Sequence, residues 1–251
     1  QFNTVPDTEP ATTTEYDVLD RVTRTTLPDT SVTTLRYRLV PDRTGTTQFE
    51  TLVQDANVNA NQKGAVKATY RDVGQLITAV KEQTAAGDIW TSYTYDPLKQ
   101  IVDVKDHLGN LTKATYDNLG RRTVLDNPDT GKTEFTFDLA GNLTTKVTAN
   151  LKAAGQAIAY DYDFTRPKSV TYPVNIGNNI AYTYGAPGAP NNSAGRLTKT
   201  VSQMGTEERH YGKLGETTYE KKTVVTFTDP THPSVFETRY AFDTFGRMLK
   251  L

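Results

Sequence analysis

Apolar and polar positions alternate with a period of two through the clearest part of the chain. Thr133, Phe135 and Phe137 fall on one side of an extended strand, and Glu134 and Thr136 on the other. Residues 121–127 form a second run of strand length, and turn signals bound both. The first signal is Asp117-Asn118-Leu119-Gly120, repeated as Asp138-Leu139-Ala140-Gly141, Asp243-Thr244-Phe245-Gly246 and Asp106-His107-Leu108-Gly109. Asp in first place and Gly in fourth suit a type I turn, with the carboxylate accepting backbone N–H bonds and Gly taking a left-handed conformation. The second signal is Pro128-Asp129-Thr130-Gly131, echoed by Pro28-Asp29-Thr30 and Pro41-Asp42-Arg43-Thr44-Gly45. The pattern predicts antiparallel hairpins.

The hairpins recur. An aromatic followed by Asp or Gly marks each unit: Tyr16-Asp17, Tyr95-Asp96, Tyr116-Asp117, Phe137-Asp138, Tyr162-Asp163, Tyr184-Gly185, Tyr211-Gly212 and Phe242-Asp243, with Tyr37 and Tyr70 fitting more loosely. Tyr95 to Tyr116 and Tyr116 to Phe137 are both 21 residues, and later spacings are 25, 22, 27 and 31. The expected architecture is all-β, a single array over residues 1–251 that is most regular over 93–150. Its tandem hairpins of about 21 residues pair into one continuous curved or spiralling sheet. The aromatic before each turn is expected to stack on its neighbour in a ladder, each pair worth about 0.5–1.5 kcal/mol. Lys99 and Asp20 replace the turn glycine, and Arg166-Pro167 follows Tyr162, so those turns are expected to be less ideal or of another type. Residues 73–86 and 150–158 have helical propensity, but the repeat frame makes both strand plus loop.

Composition agrees and narrows the function. The 251 residues include 43 threonines and 14 tyrosines, types that suit a pleated, half-buried surface. With 28 basic against 29 acidic residues there is no excess for nucleic acid or an anionic membrane. No apolar run reaches the ~18 residues of a membrane span. Cysteine is absent, which excludes disulfides and thiol chemistry. The chain starts QFNTVPDTEP, without Met, and reads as a piece of a longer protein whose export signal would lie elsewhere.

Tyr116-Asp117-Asn118-Leu119-Gly120-Arg121-Arg122-Thr123 and Phe137-Asp138-Leu139-Ala140-Gly141-Asn142-Leu143-Thr144 resemble the YD repeat of the RHS (rearrangement hotspot) family. Phe242-Asp243 through Gly246-Arg247, and Gly195-Arg196-Leu197-Thr198, add to the likeness. The structural repeat positions are then Tyr16, Asp17, Tyr95, Asp96, Tyr116, Asp117, Gly120, Arg121, Phe137, Asp138, Gly141, Tyr162, Asp163, Gly195, Arg196, Tyr211, Gly215, Phe242, Asp243, Gly246 and Arg247. The resemblance implies a hollow β-shell that encloses a C-terminal toxic polypeptide in bacterial toxins, or serves adhesion in teneurins. It implies as partners the remaining shell segments, the enclosed domain and a toxin-delivery component, at a secreted or cell-surface location. Family members often end in a self-cleaving core, whose pattern neither Asp96-Pro97 nor Asp229-Pro230 continues. The chain is therefore expected to be wall, without protease or cargo.

Candidate chemistry is sparse. His107 lies near Asp103 and Asp106, which a polar turn explains as well as a metal set does. His232 sits in a proline turn, Asp229-Pro230-Thr231-His232-Pro233. In Glu207-Glu208-Arg209-His210, neighbours on a strand face opposite ways. No nucleophile-elbow, zinc-protease, phosphate-loop or dinucleotide motif occurs. The expectation is a structural chain, not an enzyme, without metal or cofactor. The alternative is a carbohydrate-binding or adhesive module, for which Trp90 is the single Trp and glycans the partner. A β-propeller would need repeats of about 40 residues. The sequons Asn110-Leu111-Thr112, Asn142-Leu143-Thr144 and Asn191-Asn192-Ser193 are expected to be chance matches in so threonine-rich a chain.

Overall fold

The computed structural model describes residues 10–55, 65–225 and 232–250. Asp229-Pro230-Thr231 and the opening nine residues lie outside them. The chain divides into two compact units, Gln1–Asp129 and Thr130–Leu251.

Among its described residues the first unit holds ten strands: β1 (Thr13–Tyr16), β2 (Val22–Thr26), β3 (Val32–Pro41), β4 (Thr47–Gln54), β5 (Val66–Arg71), β6 (Ile77–Thr84), β7 (Gly87–Tyr95), β8 (Ile101–Lys105), β9 (Leu111–Tyr116) and β10 (Arg122–Asn127). Each pairs antiparallel with the next. The second unit continues the rule with β11 (Gly131–Phe137), β12 (Leu143–Val147), β13 (Ile158–Asp163), β14 (Arg166–Thr171), β15 (Ile180–Tyr184), β16 (Leu197–Ser202), β17 (Gly205–Tyr211), β18 (Thr217–Val224) and β19 (Ser234–Arg239). A small two-stranded sheet follows, β20 (Ala241–Phe242) with β21 (Met248–Lys250). The expected all-β order of tandem hairpins is the observed one.

Each sheet is one layer, so its apolar side chains bury against lateral neighbours. Arg38, Glu50, Tyr70, Ala79 and Ser92 stand in one row across β3–β7, and Arg36, Leu52, Ala68, Lys81 and Trp90 in the next row of that face. Ala68, Tyr70 and Ala79 are buried there, with Val40, Leu52 and Trp90 packed against them. Tyr70 stacks on Trp90 with centroids 5.4 Å apart. Between these rows, on the opposite face, stand Tyr37, Thr51, Thr69, Val80 and Thr91. Threonine's role is visible here: it gives a strand-favouring side chain to a face that stays wet.

One segment departs from expectation. Residues 73–86 hold β6, as the repeat frame requires, but residues 150–158 do not hold strand plus loop throughout. A short helix, α1 (Ala149–Ala153), joins β12 to β13. Gln156 N donates to Leu151 O and Gly155 N to Lys152 O, with Gly155 at φ +64°, a Schellman ending. Lys152 reaches across to Glu134 on β11 (Nζ–Oε1 2.6 Å), so a tertiary tie holds a helix too short to stand alone.

Candidate functional site

The repeated feature is the turn after each aromatic. In the Asp117 turn, Gly120 N donates to Asp117 O and Asp117 N to Arg121 O. Asp117 Oδ1 accepts from Leu119 N (2.9 Å) and Arg121 N (3.0 Å), and its Oδ2 takes Arg121 Nε at 2.7 Å. Gly120 sits at φ +78° and the ladder shifts register just beyond, giving a type I turn with a glycine bulge. Asp17 with Arg21 and Asp243 with Arg247 repeat every contact. In the Asp138 turn Asn142 stands for the arginine and donates from both its backbone N and Nδ2 at 2.8 Å.

Three expectations about turns change. Asp20 (φ +56°) and Lys99 (φ +65°) adopt the same left-handed position as glycine, so their turns are not of another type. Backbone bonds from both N–H groups to the turn's first carbonyl hold them there. Asp106–Gly109 joins β8 to β9 and lies at the margin opposite the tyrosine turns, whereas Asp42–Gly45 joins β3 to β4 and lies with them. The Tyr162 turn is different, as expected: Phe164 and Thr165 alone close the hairpin, and Asp163 pairs with Arg166.

The aromatics do not join through the expected ring-on-ring ladder at Tyr37, Tyr95, Tyr116 and Tyr211. Each hydroxyl donates instead to the carbonyl of the first residue of the preceding strand: Tyr37 to Val22 (3.1 Å), Tyr95 to Ile77 (2.8 Å), Tyr116 to Ile101 (2.8 Å) and Tyr211 to Leu197 (2.5 Å). That carbonyl lies at the sheet margin, where the strands part and ladder partners run out. Arginines from the previous turn cover the rings, Arg21 over Tyr37 at 4.3 Å, Arg166 over Tyr184 at 4.8 Å and Arg196 over Tyr211 at 5.4 Å. After three of the turns the following residue also reaches the next turn's backbone. Gln100 Nε2 donates to Gly120 O (3.1 Å), Asn142 Nδ2 to Phe164 O (2.7 Å) and Arg166 Nη1 to Gly195 O (3.3 Å). Asn110 and Asn142, read as sequons, are thus turn side chains held by Asp106 and Asp138. Gly212 takes the Asp position before Gly215, and the Glu216 carboxylate fills the space a side chain at 212 would need.

These carboxylates make the turns acid-sensitive. Hydrogen bonds from Arg21 hold Asp17 below the usual aspartate range, bonds from Asn110 and Asn142 do the same for Asp106 and Asp138, and the Arg121 and Arg247 backbones for Asp117 and Asp243. A depressed folded value means that stability is fully present above the unfolded value of about 3.9 and is lost as pH falls through the folded ones. Denaturant midpoints are therefore expected to fall as the pH drops below about 4. The double variant Asp117→Asn, Asp138→Asn is expected to flatten that slope.

Among the described residues no catalytic constellation assembles. Among the described residues no group of three His, Asp or Glu side chains is placed to hold a metal ion. His107 is exposed in its turn, and His210 packs on Tyr219 at 4.7 Å. A shallow groove along β13–β15 is lined by Tyr162, Tyr182, Tyr184, Arg166 and Lys168, but both cations are paired, with Asp163 and Asp161. Trp90 is engaged by Tyr70 and by Lys81, 5.5 Å from its ring centre. No helix among the described residues is long and apolar enough to cross a membrane.

No family model matches the chain, and neither does any curated protein. Solved structures match in fold. The crystal structure of TcdB2-TccC3 aligns with TM-score 0.67 at 17% identity, covering 95% of this chain and 13% of that one. A TcdB2-TccC3-Cdc42 complex gives 0.66 at 16% identity, and the Tc holotoxin pore of Photorhabdus luminescens 0.67 at 16%, with the same coverage. The chain thus spans 13% of the length of the structures it matches.

Proposed function

We propose that the chain is a stretch of the wall of an RHS-type toxin shell, which encloses and shields a C-terminal toxic polypeptide until delivery. The observation that carries this reading is the succession of tyrosine turns within each unit, several of them bonded to a neighbouring turn or strand. Among the described residues this succession assembles no reaction centre. A strip of this kind serves by confining. Its threonine-rich face offers a cargo weak polar contacts and little apolar area, so enclosure requires no sequence match. The residues singled out by the repeat, from Tyr16 to Arg247, are positions that shape the strip. The array continues over residues 1–251, and its partners are further wall segments, the enclosed polypeptide and a delivery component. The location is secreted or cell-surface. The fold shared with the Tc complexes supports the toxin setting.

Limited proteolysis of the full natural polypeptide tests this. The C-terminal region is expected to resist cleavage while the wall is intact. Cleavage at the rate of the same region expressed free would overturn the reading. The carbohydrate-binding alternative has less support, because Trp90 and several tyrosine rings are already covered.

A further inference from the structure

Strands β13–β15 lie inside the sheet of the second unit, each bonded to a strand on both sides. The groove along them measures about 790 Å³, within the size range of ligand sites. It is also where the rule of the tyrosine turns lapses. Tyr37, Tyr95, Tyr116 and Tyr211 commit their hydroxyls to carbonyls of the preceding strand. Among the described residues the hydroxyls of Tyr162, Tyr182 and Tyr184, all lining the groove, make no hydrogen bond. Their rings are half-buried, so each offers an apolar surface beside a polar tip. Burial holds the Tyr162 phenol above its usual range, so it stays a donor.

The charges around the groove cancel. Arg166 pairs with Asp163, and Lys168 Nζ lies 2.9 Å from Asp161 Oδ2. A charged occupant would have to compete with one of these pairs, so the groove suits an uncharged one. The spacing narrows the choice. Tyr162 and Tyr184 stand at the same turn margin on alternate strands, about 9.6 Å apart at ordinary strand spacing. A polyproline II helix repeats every three residues, about 9.3 Å. It has no internal hydrogen bonds, so its carbonyls are open to donors, and its shape is already set before binding.

We propose that this groove docks an uncharged polyproline II segment of a partner polypeptide. Prolines three residues apart seat against the Tyr162 ring of β13 and the Tyr182–Tyr184 pair of β15, and the segment's carbonyls accept from the tyrosine hydroxyls. The inference goes beyond the wall reading and stands without it, since it rests on what these three side chains leave unpaired.

Two labelled peptides of one composition, alanine, threonine and proline, test the spacing on the full chain. The first has prolines three residues apart and the second four residues apart. The first is expected to bind about tenfold tighter by fluorescence anisotropy and to move the ring signals of Tyr162, Tyr182 and Tyr184 in NMR spectra. The double variant Tyr162→Phe, Tyr184→Phe is expected to lose about tenfold in affinity with its urea midpoint unmoved, because neither hydroxyl holds the fold. The control Tyr95→Phe, Tyr116→Phe is expected to do the reverse, lowering the midpoint and keeping the affinity. Equal affinity for the two peptides, binding of neither, or full affinity in the Tyr162 and Tyr184 variant would overturn the proposal. None of these results bears on the wall reading, which the proteolysis decides.

Discussion

Replacing Arg38 with methionine is expected to cost the fold about 3 kcal/mol. Arg38 Nε donates to Glu50 Oε2 at 2.7 Å, and Tyr70 Oη donates to Glu50 Oε1 at 3.0 Å. The Glu50 side chain is 3% exposed, whereas that of Arg38 is 48% exposed. Losing the guanidinium therefore strands a charge that water cannot reach, and removing one partner of a buried pair costs far more than the intact pair contributes. Burial, with Glu50 beside it, pushes the Tyr70 phenol well above its usual range, so the hydroxyl stays protonated and donates to Glu50 without neutralising its charge. Urea denaturation followed through Trp90, which stacks on Tyr70, reads the effect locally. Adding Glu50→Gln to the variant is expected to recover part of the loss, since the neutral amide still accepts from Tyr70. A midpoint unmoved by Arg38→Met would show that the pair is not what holds this spot.

A second large effect is expected at Gly205. It opens β17 at φ +130°, a region open to little but glycine, and a Cβ there would lie 1.7 Å from the Thr223 carbonyl oxygen. Gly205 also pairs with Ser202 and Val224, so the backbone cannot swing aside without breaking the ladder on both flanks. Gly205→Ala is expected to cost about 3 kcal/mol or more. Gly141→Ala is the control: its φ is +91° but nothing lies within 4 Å, so it carries the backbone strain alone, about 1–2 kcal/mol. Equal midpoints for the two variants would remove the steric argument. Faster amide exchange confined to β16–β18 in the Gly205 variant would support it.

The hairpin order was legible because its signals are local. Asp117 and Gly120 lie within one turn, and the alternation at Thr133–Phe137 is read over a few residues. What the sequence hid depends on contacts between units of the repeat. Arg21 meets Tyr37 only once β2 and β3 have paired, so a stack of tyrosines was the natural expectation and an arginine between them was not. Glu50 reads as an exposed strand residue until the register sets it between Arg38 and Tyr70. Asp20 and Lys99 looked like defects because propensity ranks glycine first there, yet the surrounding hydrogen bonds override that ranking. The helix α1 had one readable sign, Gly155 after a run of good helix formers, which the repeat spacing outweighed.

The links between neighbouring turns run both ways: Gln100, Asn142 and Arg166 each grip the turn that follows, while the tyrosine hydroxyls reach back to the strand before. Gln100 holds its own turn through its backbone and the next one through its side chain. Cutting back that side chain would therefore loosen the corner at Gly120 while sparing the one it belongs to, and the fault would surface one unit ahead of its cause.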